Sequence, residues 1–531
     1  MQAFHLDMKM GQFRQEYLAG LFPRLRQAGY DTVVFEIEDK VRLDCIGSAA
    51  WCEAYSKEEF AGILSSCRTA GLETVPLIQT YGHLEWLLTH PPFQRLREQP
   101  SIAYIICPQK KESQRFLLRF VDEVCELFGN PSYIQLGGDE AAYMGTCSDC
   151  EEKVKASSKS ALYAEHMNRI SNRALSRGSR PMMWADMILA HPESIEQFSR
   201  DLVWVDWHYE MTPEGPESTY IWGEKAKPTP PAGTSESFRR NFGDYAFQKD
   251  PDRFRPWFYA DYLIDKGFDV LIAPATRSAG DHSFLPSVGH AGNVASAVLK
   301  IESEPRLKGL LVTSWAMRLN PLETQWPLFN LPQIMGNAPE ANWQDSVNKS
   351  CDSTFSPPIP DFVSCWKTLG QSFFLADNPS CIEFEFGTIG KMSSIPLLLE
   401  KRFKGKDEEF RSEIETVEGL LAAYAQAGSA IRPALLSQGR ENLCASFWSL
   451  GIDAIQLRAR EYLLYLRARA GNLDKGLATD ILWETEDMAD RWRKAMLPIL
   501  HPAGIEREVT MLYGESTRML PQIANGHFEM I

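Results

Sequence analysis

The amino-acid sequence predicts an α/β fold: a (β/α)8 TIM barrel followed by a mainly helical C-terminal domain. Two patterns carry this prediction. Short apolar runs typical of strands alternate with helical segments over about the first 330 residues, and acids and tryptophans recur where those runs end. Barrels place their chemistry at the carboxyl ends of the strands. A doubly wound open sheet is the alternative architecture.

The strand-like runs number eight in the first part of the chain. They cover residues 3–7, 32–37, 74–79, 133–136, 181–184, 202–205, 269–273 and 309–313. Helical segments lie between them, among others at 12–28, 57–70, 112–128, 158–177, 253–267 and 291–301. Regular alternation of this kind predicts βα units and a parallel sheet.

The chain changes character after the last strand-like run. We expect a catalytic barrel over 1–340 and an α-helical domain over 355–531, joined near the proline-rich run 356–360. Apolar residues recur at helical spacing in the later region, in segments 361–375, 391–403, 406–427, 440–469 and 477–500. A bundle packed on the barrel is the expected role. The C-terminal region could also form a homodimer contact or line one side of the substrate site.

Composition narrows the class of protein. A chain of 531 residues exceeds the size of one core, and its net charge of −15 argues against binding nucleic acid or an anionic membrane. No apolar run reaches the roughly 18 residues of a membrane span, and the first residues lack the pattern of a signal peptide. The eleven cysteines, an odd number, favour reduced thiols. We therefore expect a cytoplasmic protein.

The run Ile134-Gln135-Leu136-Gly137-Gly138-Asp139-Glu140 is the most informative motif. A short strand ends in two glycines, which permit a sharp turn, and then in two adjacent carboxylates. Repulsion between neighbouring acids raises the pKa of one of them, which suits a general acid beside an ionised partner. The alternative is a solvated acid pair that opens a helix. Carboxylates beside aromatic rings at other strand ends favour a sugar ligand.

These residues resemble a known family. Leu136-Gly137-Gly138-Asp139-Glu140 is similar to the catalytic motif of glycoside hydrolase family 20, the β-N-acetylhexosaminidases. Phe35-Glu36-Ile37-Glu38-Asp39 and the segment 76–85 resemble its hexosaminidase D-type subgroup, and the resemblance covers about residues 1–330. The sequence departs from the family at the first strand, where His5 and Asp7 replace an arginine. It departs again after Asp39, where Lys-Val-Arg replaces an aromatic-proline continuation.

The resemblance implies an exo-acting hydrolase of terminal β-linked GalNAc or GlcNAc, with galactosaminides favoured. Catalysis would be substrate-assisted and retaining, through an oxazolinium ion. In that scheme Glu140 is the acid, Asp139 orients the acetamido group, and Tyr209 donates to the acetamido oxygen. The predicted substrate-binding residues are Glu38, Asp39, His83, Trp184, Asp186, Trp204, Trp207, Trp315 and Arg318. The expected partner is an amino-sugar glycoside, without nucleic acid or membrane.

Two alternatives of other classes remain open: a non-catalytic barrel that binds N-acetylhexosamine, and a two-carboxylate retaining glycosidase. Cys147-Ser148-Asp149-Cys150 is half of a zinc site, which Cys45 and Cys52 could complete. Plain reduced thiols are the favoured interpretation, so we predict no metal. The sequence contains neither a P-loop nor a dinucleotide fingerprint, and we expect no cofactor.

Overall fold

The computed structural model describes residues 1–221, 224–228, 233–250, 252–278, 280–377, 382–385, 388–392, 395–439 and 441–527. Side chains are described for these residues except 224, 318, 377, 382–385 and 388–392. No helix in these ranges is long and apolar enough to span a bilayer.

Eight parallel strands close into a barrel, as predicted. They are β1 (Gln2–Asp7), β2 (Thr32–Glu36), β3 (Glu73–Leu77), β4 (Tyr133–Gln135), β5 (Arg180–Trp184), β6 (Val203–Asp206), β9 (Asp269–Ile272) and β11 (Gly309–Ser314). The strands pair in chain order, and β11 closes the barrel against β1 with Ala3 opposite Leu311. The open-sheet alternative is therefore excluded.

Shorter strands accompany the barrel. β10 (Ala275–Arg277) follows β9 and pairs in parallel with the carboxyl end of β11. β7 (Thr219–Ile221) pairs with β8 (Glu224–Ala226), and β12 (Ile382–Glu385) pairs with β13 (Thr388–Met392), each pair antiparallel. The sequence did not predict these five strands. They are only three to five residues long, and the β12–β13 pair lies in the region expected to be helical.

Helices connect the barrel strands and cover the barrel. They are α1 (Gln15–Gln27), α2 (Lys57–Thr69), α3 (Glu85–Leu88), α4 (Lys111–Leu127), α5 (Ser148–Ala156), α6 (Lys159–Ser176), α7 (Asp186–Ala190), α8 (Glu236–Ala246), α9 (Phe258–Asp265), α10 (Gly289–Ser303), α11 (Trp326–Phe329), α12 (Leu331–Gly336) and α13 (Trp343–Thr354). Short 3-10 helices occupy Gly47–Ala49, Pro91–Leu96, Pro192–Gln197, Ala316–Arg318 and Leu322–Gln325.

The C-terminal region is mainly helical, in agreement with the prediction. It contains α14 (Phe362–Leu369), α15 (Phe374–Asp377), α16 (Ile395–Phe403), α17 (Asp407–Ser437), α18 (Leu443–Arg469), α19 (Lys475–Met496) and α20 (Pro502–Ala524). The sequence analysis missed α20 and placed a helix over residues that form the end of β13. The spacing of apolar residues alone was not enough to recognise α20 as a helix or the end of β13 as a strand.

The barrel interior is built from alternate residues of each strand. Aliphatic side chains together with one methionine and one tryptophan fill it: Ala3, Val34, Val75, Leu77, Met182, Trp184, Val203, Val205, Leu271, Ala273 and Leu311. The intervening residues, such as Phe4 and Phe35, pack outward against the helices. Because strand side chains alternate in direction, the last inward-facing residues of the strands lie near one another at the carboxyl end of the barrel.

The helical region packs against that same end of the barrel. Arg507 in α20 donates from Nη1 to the main-chain oxygen of Lys9 (3.1 Å), just beyond β1. Trp448 in α18 donates from Nε1 to the main-chain oxygen of Thr324 (3.0 Å). The helices therefore adjoin the strand ends where chemistry is expected.

Candidate active site

Two glycines turn the chain sharply at the end of β4. Gly137 and Gly138 have φ values of 66° and 85°, in the region that favours glycine. A Cβ on Gly137 would lie 2.1 Å from Gln79 Oε1, so no larger residue fits against that side chain. Glu140 also has a positive φ, 47°. Strained backbone of this kind is typical of functional sites, and here it places Asp139 and Glu140 at the barrel mouth.

His83 bridges the two acids. Its Nε2 lies 3.3 Å from Asp139 Oδ2 and 3.2 Å from Glu140 Oε2. Burial alone would lower the pKa of His83, but the two carboxylates raise it well above its usual value. Tyr104 lies on the same side: its hydroxyl is 3.2 Å from His83 Nε2 and donates to the main-chain oxygen of Glu140 (2.9 Å). The structure thus brings Asp139, Glu140 and His83 together.

Asp139 keeps one carboxylate oxygen without a partner. The side chain is 8% exposed, and no described group hydrogen-bonds to its Oδ1. A buried acceptor without a donor costs free energy. The cost falls when a ligand supplies an N–H or O–H, so Oδ1 is suited to accept a bond from a bound molecule.

Asp186 uses both carboxylate oxygens on protein groups. Its Oδ2 accepts from the main-chain N–H of Glu140 (2.8 Å) and its Oδ1 from Trp207 Nε1 (3.2 Å). Burial, together with the charge of Asp139, raises the pKa of Asp186 to about 8. The residue therefore positions Glu140 and Trp207 in the structure.

Aromatic side chains line the mouth of the barrel. Trp184 is fully buried at its floor, with its ring 5.7 Å from that of the half-buried Trp315. Trp315 donates from Nε1 to the hydroxyl of Tyr209 (2.6 Å), and the Tyr209 ring lies 5.3 Å from that of Trp207. Burial raises the pKa of Tyr209 above its usual value, so the phenol keeps its proton for donation. The three tryptophans and the tyrosine offer apolar walls beside the acids.

Trp204 is placed differently from the other predicted tryptophans. Its ring packs on Phe198 (5.2 Å) and Phe268 (6.1 Å) in the layer between strands and helices. Val203 and Val205 face the barrel interior, so the residue between them faces outward. The structure does not bring Trp204 to the site.

A second charged group lies across the mouth, at the ends of β1 and β2. The Nζ of Lys9 is 2.7 Å from Glu36 Oε2 and 3.3 Å from Asp7 Oδ2, and it lies 5.0 Å from the centre of the Trp315 ring. Burial works against ionisation of Glu36, but Lys9 and His5 lower the pKa of its carboxyl below the usual value. The sequence analysis missed Lys9, although it follows Asp7 by two residues and so shares its inward direction.

The two acids that follow β2, Glu38 and Asp39, have different surroundings. Glu38 is buried with φ 37°, and burial raises the pKa of its carboxyl well above the usual value. Asp39 instead pairs with Lys40, which lies over the Trp51 ring. The side chain of Arg318, also predicted to bind substrate, lies outside the described part of the structure.

The first part of this barrel is similar in sequence to known proteins. Residues 21–218 match the model of the glycosyl hydrolase family 20 catalytic domain. Hexosaminidase D from Bos taurus is 30% identical over 198 residues, which are 36% of this chain and 57% of that protein. Hexosaminidase D from Homo sapiens is 30% identical over 200 residues, 36% of this chain and 41% of that protein. The aligned segment thus spans about half the length of these relatives, and the resemblance seen in the sequence is confirmed.

Solved structures show more distant likeness. A beta-N-acetylhexosaminidase from Bacteroides fragilis aligns with a TM-score of 0.45 at 18% identity, over 62% of this chain and 64% of that one. A mutant Streptomyces plicatus beta-hexosaminidase in complex with the product GlcNAc aligns with a TM-score of 0.47 at 14% identity, over 67% of each chain. Similarity at this level does not bear on the chemistry of the site.

Proposed function

We propose that this chain, whose residues 21–218 match the model of the glycosyl hydrolase family 20 catalytic domain, is an exo-acting β-N-acetylhexosaminidase. The observation that carries the proposal is the end of β4. There Asp139 and Glu140 project into an aromatic-lined mouth beside His83, and Asp139 Oδ1 is buried with no described partner. An acetamido N–H is the donor that this oxygen would accept.

The proposed mechanism is substrate-assisted. The acetamido oxygen of the sugar attacks its own anomeric carbon as the bond to the leaving oxygen breaks, and Glu140 gives its proton to that oxygen. His83 Nε2 lies 3.2 Å from Glu140 Oε2 and helps to hold the carboxyl group in position, while the proton that Glu140 loses is regained from water in the second half. In the second half, water attacks the anomeric carbon and Glu140 takes the water's proton. The product keeps the configuration of the substrate.

Asp139 and Tyr209 would hold the acetamido group during the attack. Asp139 Oδ1 accepts the N–H and balances the positive charge of the oxazolinium ion. Tyr209 retains its phenol proton and lies at Trp315, from where it can donate to the acetamido oxygen. Trp184, Trp207 and Trp315 would enclose the methyl group. Such preorganised contacts act mainly in the transition state.

The hydroxyls of the sugar could form hydrogen bonds with the charged residues at the ends of β1 and β2. Lys9 carries N–H donors for these hydroxyls, and the buried carboxyl of Glu38 offers oxygens that can accept from them. Within the activity we propose a preference for β-GalNAc, on the strength of the hexosaminidase D-type motifs. We also propose a cytoplasmic location, supported by ten described cysteines that are all free thiols. A homodimer stays a prediction.

Paired substrates test the activity. The purified full chain should cleave 4-nitrophenyl β-GalNAc fastest, 4-nitrophenyl β-GlcNAc more slowly, and the plain β-galactoside at least roughly 10³-fold more slowly, because the galactoside lacks the intramolecular nucleophile. Equal cleavage of the galactoside would instead indicate a two-carboxylate glycosidase. Binding of the amino sugars without release of nitrophenol would indicate a non-catalytic barrel.

A thiazoline mimic of the oxazolinium ion tests the mechanism. It should inhibit the wild-type chain strongly, since it resembles the transition state, and it should bind Asp139→Asn much more weakly. Asp201→Asn, an exposed residue before β6 at the other end of the barrel, is the matched control and should bind it normally. Equal thiazoline affinity in all three proteins, or a trapped covalent glycosyl-enzyme, would overturn substrate assistance.

A further inference from the structure

Three cysteines and a glutamate meet in a buried cluster below the active-site loops. Cys107 precedes α4, Cys147 and Cys150 lie at the start of α5, and Glu98 lies on the loop before Cys107. One ligand atom from each residue falls within 4.8 Å of every other. Glu98, Cys107 and Cys150 are at most 1% exposed.

The ligands suggested by the sequence were different. The sequence allowed Cys45 and Cys52 to complete a site with Cys147 and Cys150, although reduced thiols without a metal were the favoured interpretation. In the structure the main-chain N–H of Cys45 donates to Glu123 Oε2 (2.9 Å), and Cys52 is exposed. Neither residue belongs to the described cluster.

The spacing within the cluster is that of tetrahedral coordination. Cys107 Sγ lies 3.6 Å from both Cys147 Sγ and Cys150 Sγ, and Cys150 Sγ lies 3.3 Å from Glu98 Oε2. Zinc–sulfur bonds of about 2.3 Å in a tetrahedron place two sulfurs about 3.8 Å apart. A disulfide would need about 2.05 Å. The distances from Cys107 Sγ to the other two sulfurs are therefore close to those of sulfurs that share one zinc ion and too long for a disulfide bond.

Main-chain groups hold the ligands in place. Glu98 Oε1 accepts from the N–H groups of Thr146 (2.9 Å) and Cys147 (3.1 Å), and its Oε2 points to Cys150. Contacts of this kind orient and stabilise metal-bound thiolates and carboxylates.

We propose that Cys107, Cys147, Cys150 and Glu98 bind one structural Zn²⁺. Three thiolates and a carboxylate in a tetrahedron suit zinc, and four protein ligands leave no open position for catalysis. Binding releases the thiol protons to solvent. The proposal does not depend on the activity of the barrel.

The ion would fasten two active-site loops together. Glu98 and Cys107 belong to the loop that carries Tyr104, whose hydroxyl contacts both His83 and the main chain of Glu140. Cys147 and Cys150 follow the loop that begins with Asp139 and Glu140. One metal would thus fix the separation of the acid pair from His83.

Metal content is the direct test. The untagged full chain, expressed in zinc-supplemented medium and dialysed against EDTA, should retain about one zinc per chain by mass spectrometry. Co²⁺ bound in place of zinc should give thiolate-to-cobalt absorption in the near ultraviolet and tetrahedral bands between about 600 and 750 nm. A chain without zinc that also shows neither cobalt signature would overturn the proposal.

Variants separate the site from general thiol chemistry. Cys147→Ser, at the most exposed of the four positions, should weaken Zn²⁺ binding by more than the roughly 10–100-fold typical of outer contacts. Cys52→Ser, an exposed cysteine outside the cluster, is the matched control and should retain the metal. Unchanged zinc affinity in Cys147→Ser would overturn the assignment. The cobalt spectrum of the wild-type chain decides the matter if that variant fails to fold.

Discussion

At the scale of single residues, direction along a strand decides which side chains reach the site. Trp184 and Trp207 continue the inward positions of β5 and β6, whereas Trp204 occupies an outward position and joins the outer core. Asp186 follows Trp184 by two residues and also turns inward, where Glu140 and Trp207 donate to it. The two-residue period of strands is therefore a local signal for site membership.

Glu140→Gln tests the acid at this scale. The amide cannot protonate a leaving oxygen, so turnover on poor leaving groups, such as a disaccharide, should fall by roughly 10²–10⁴. Activated 4-nitrophenyl substrates should lose much less, because their leaving group needs little protonation. Steady-state kinetics on both substrate types measure the difference.

Glu112→Gln serves as the control for this substitution. The residue is exposed in the first turn of α4, remote from the acid pair, and its change should leave both rates as they were. Equal losses on the two substrate types in Glu140→Gln would contradict its role as the acid.

At the scale of elements, one buried carboxylate ties α1 to the segment after β11. Glu323, fully buried in a 3-10 helix, receives both Nη groups of Arg24 (2.9 and 2.8 Å) and the hydroxyl of Tyr17 (2.9 Å). Its oxygens are engaged by protein groups, so it anchors the first helix to the barrel's last connection.

Arg24→Ala should therefore destabilise the fold. Removing one partner of a buried ion pair costs roughly 3–5 kcal/mol. Because Tyr17 still donates to Glu323 and the Arg24 side chain is 39% exposed, we expect the lower part of that range or slightly less. Urea unfolding measures the loss. Arg26→Ala, an exposed arginine in the same helix, should change stability far less, and similar losses in both variants would refute the anchoring role.

At the scale of the whole molecule, a neutral histidine joins the barrel to the helical region. His282 Nε2 donates to the main-chain oxygen of Leu369 (2.7 Å), and its Nδ1 accepts from the N–H groups of Phe284 and Leu285. Burial lowers the pKa of His282 to about 4. A proton on Nδ1 would point at the N–H groups of Phe284 and Leu285, and both of their hydrogen bonds to Nδ1 would be lost. The folded chain therefore keeps this imidazole neutral.

Acid should weaken the molecule through this group. The unfolded chain takes up the proton near pH 6.5 and the folded chain only near 4, so stability is lost as pH falls between those values. The loss for one group is roughly 3 kcal/mol, at about 1.36 kcal/mol per unit of pKa. His282→Gln should be less stable at pH 7 but lose less on acidification. Urea unfolding at pH 7 and pH 4 gives the difference.

The exposed His527 provides the comparison for that measurement. Since its side chain is solvated, His527→Gln should follow the wild-type pH dependence. Buried Asp186 and Glu508, whose pKa values burial raises to about 8 and about 7, respond in the opposite direction and are common to all three proteins. An unaltered acid slope in His282→Gln would show that this histidine does not govern it.

The sequence by itself determined the order of strands and helices and the acid pair. Apolar runs with a short period and helical runs with a longer one are local patterns, and each of the eight barrel strands was predicted close to its observed position. The Gly-Gly-Asp-Glu motif is likewise contiguous. These features depend on neighbours along the chain, so they could be recognised without the fold.

Only the tertiary structure decided which distant groups meet. Closure of β11 on β1 places Trp315 beside Lys9, and the loop before α4 brings Cys107 to Cys147 across 40 residues. The burial that raises the pKa of Glu38, and the pairing that directs Asp39 to Lys40, arise only once the chain is packed. Contacts and desolvation depend on spatial neighbours, which the local pattern of residues does not specify.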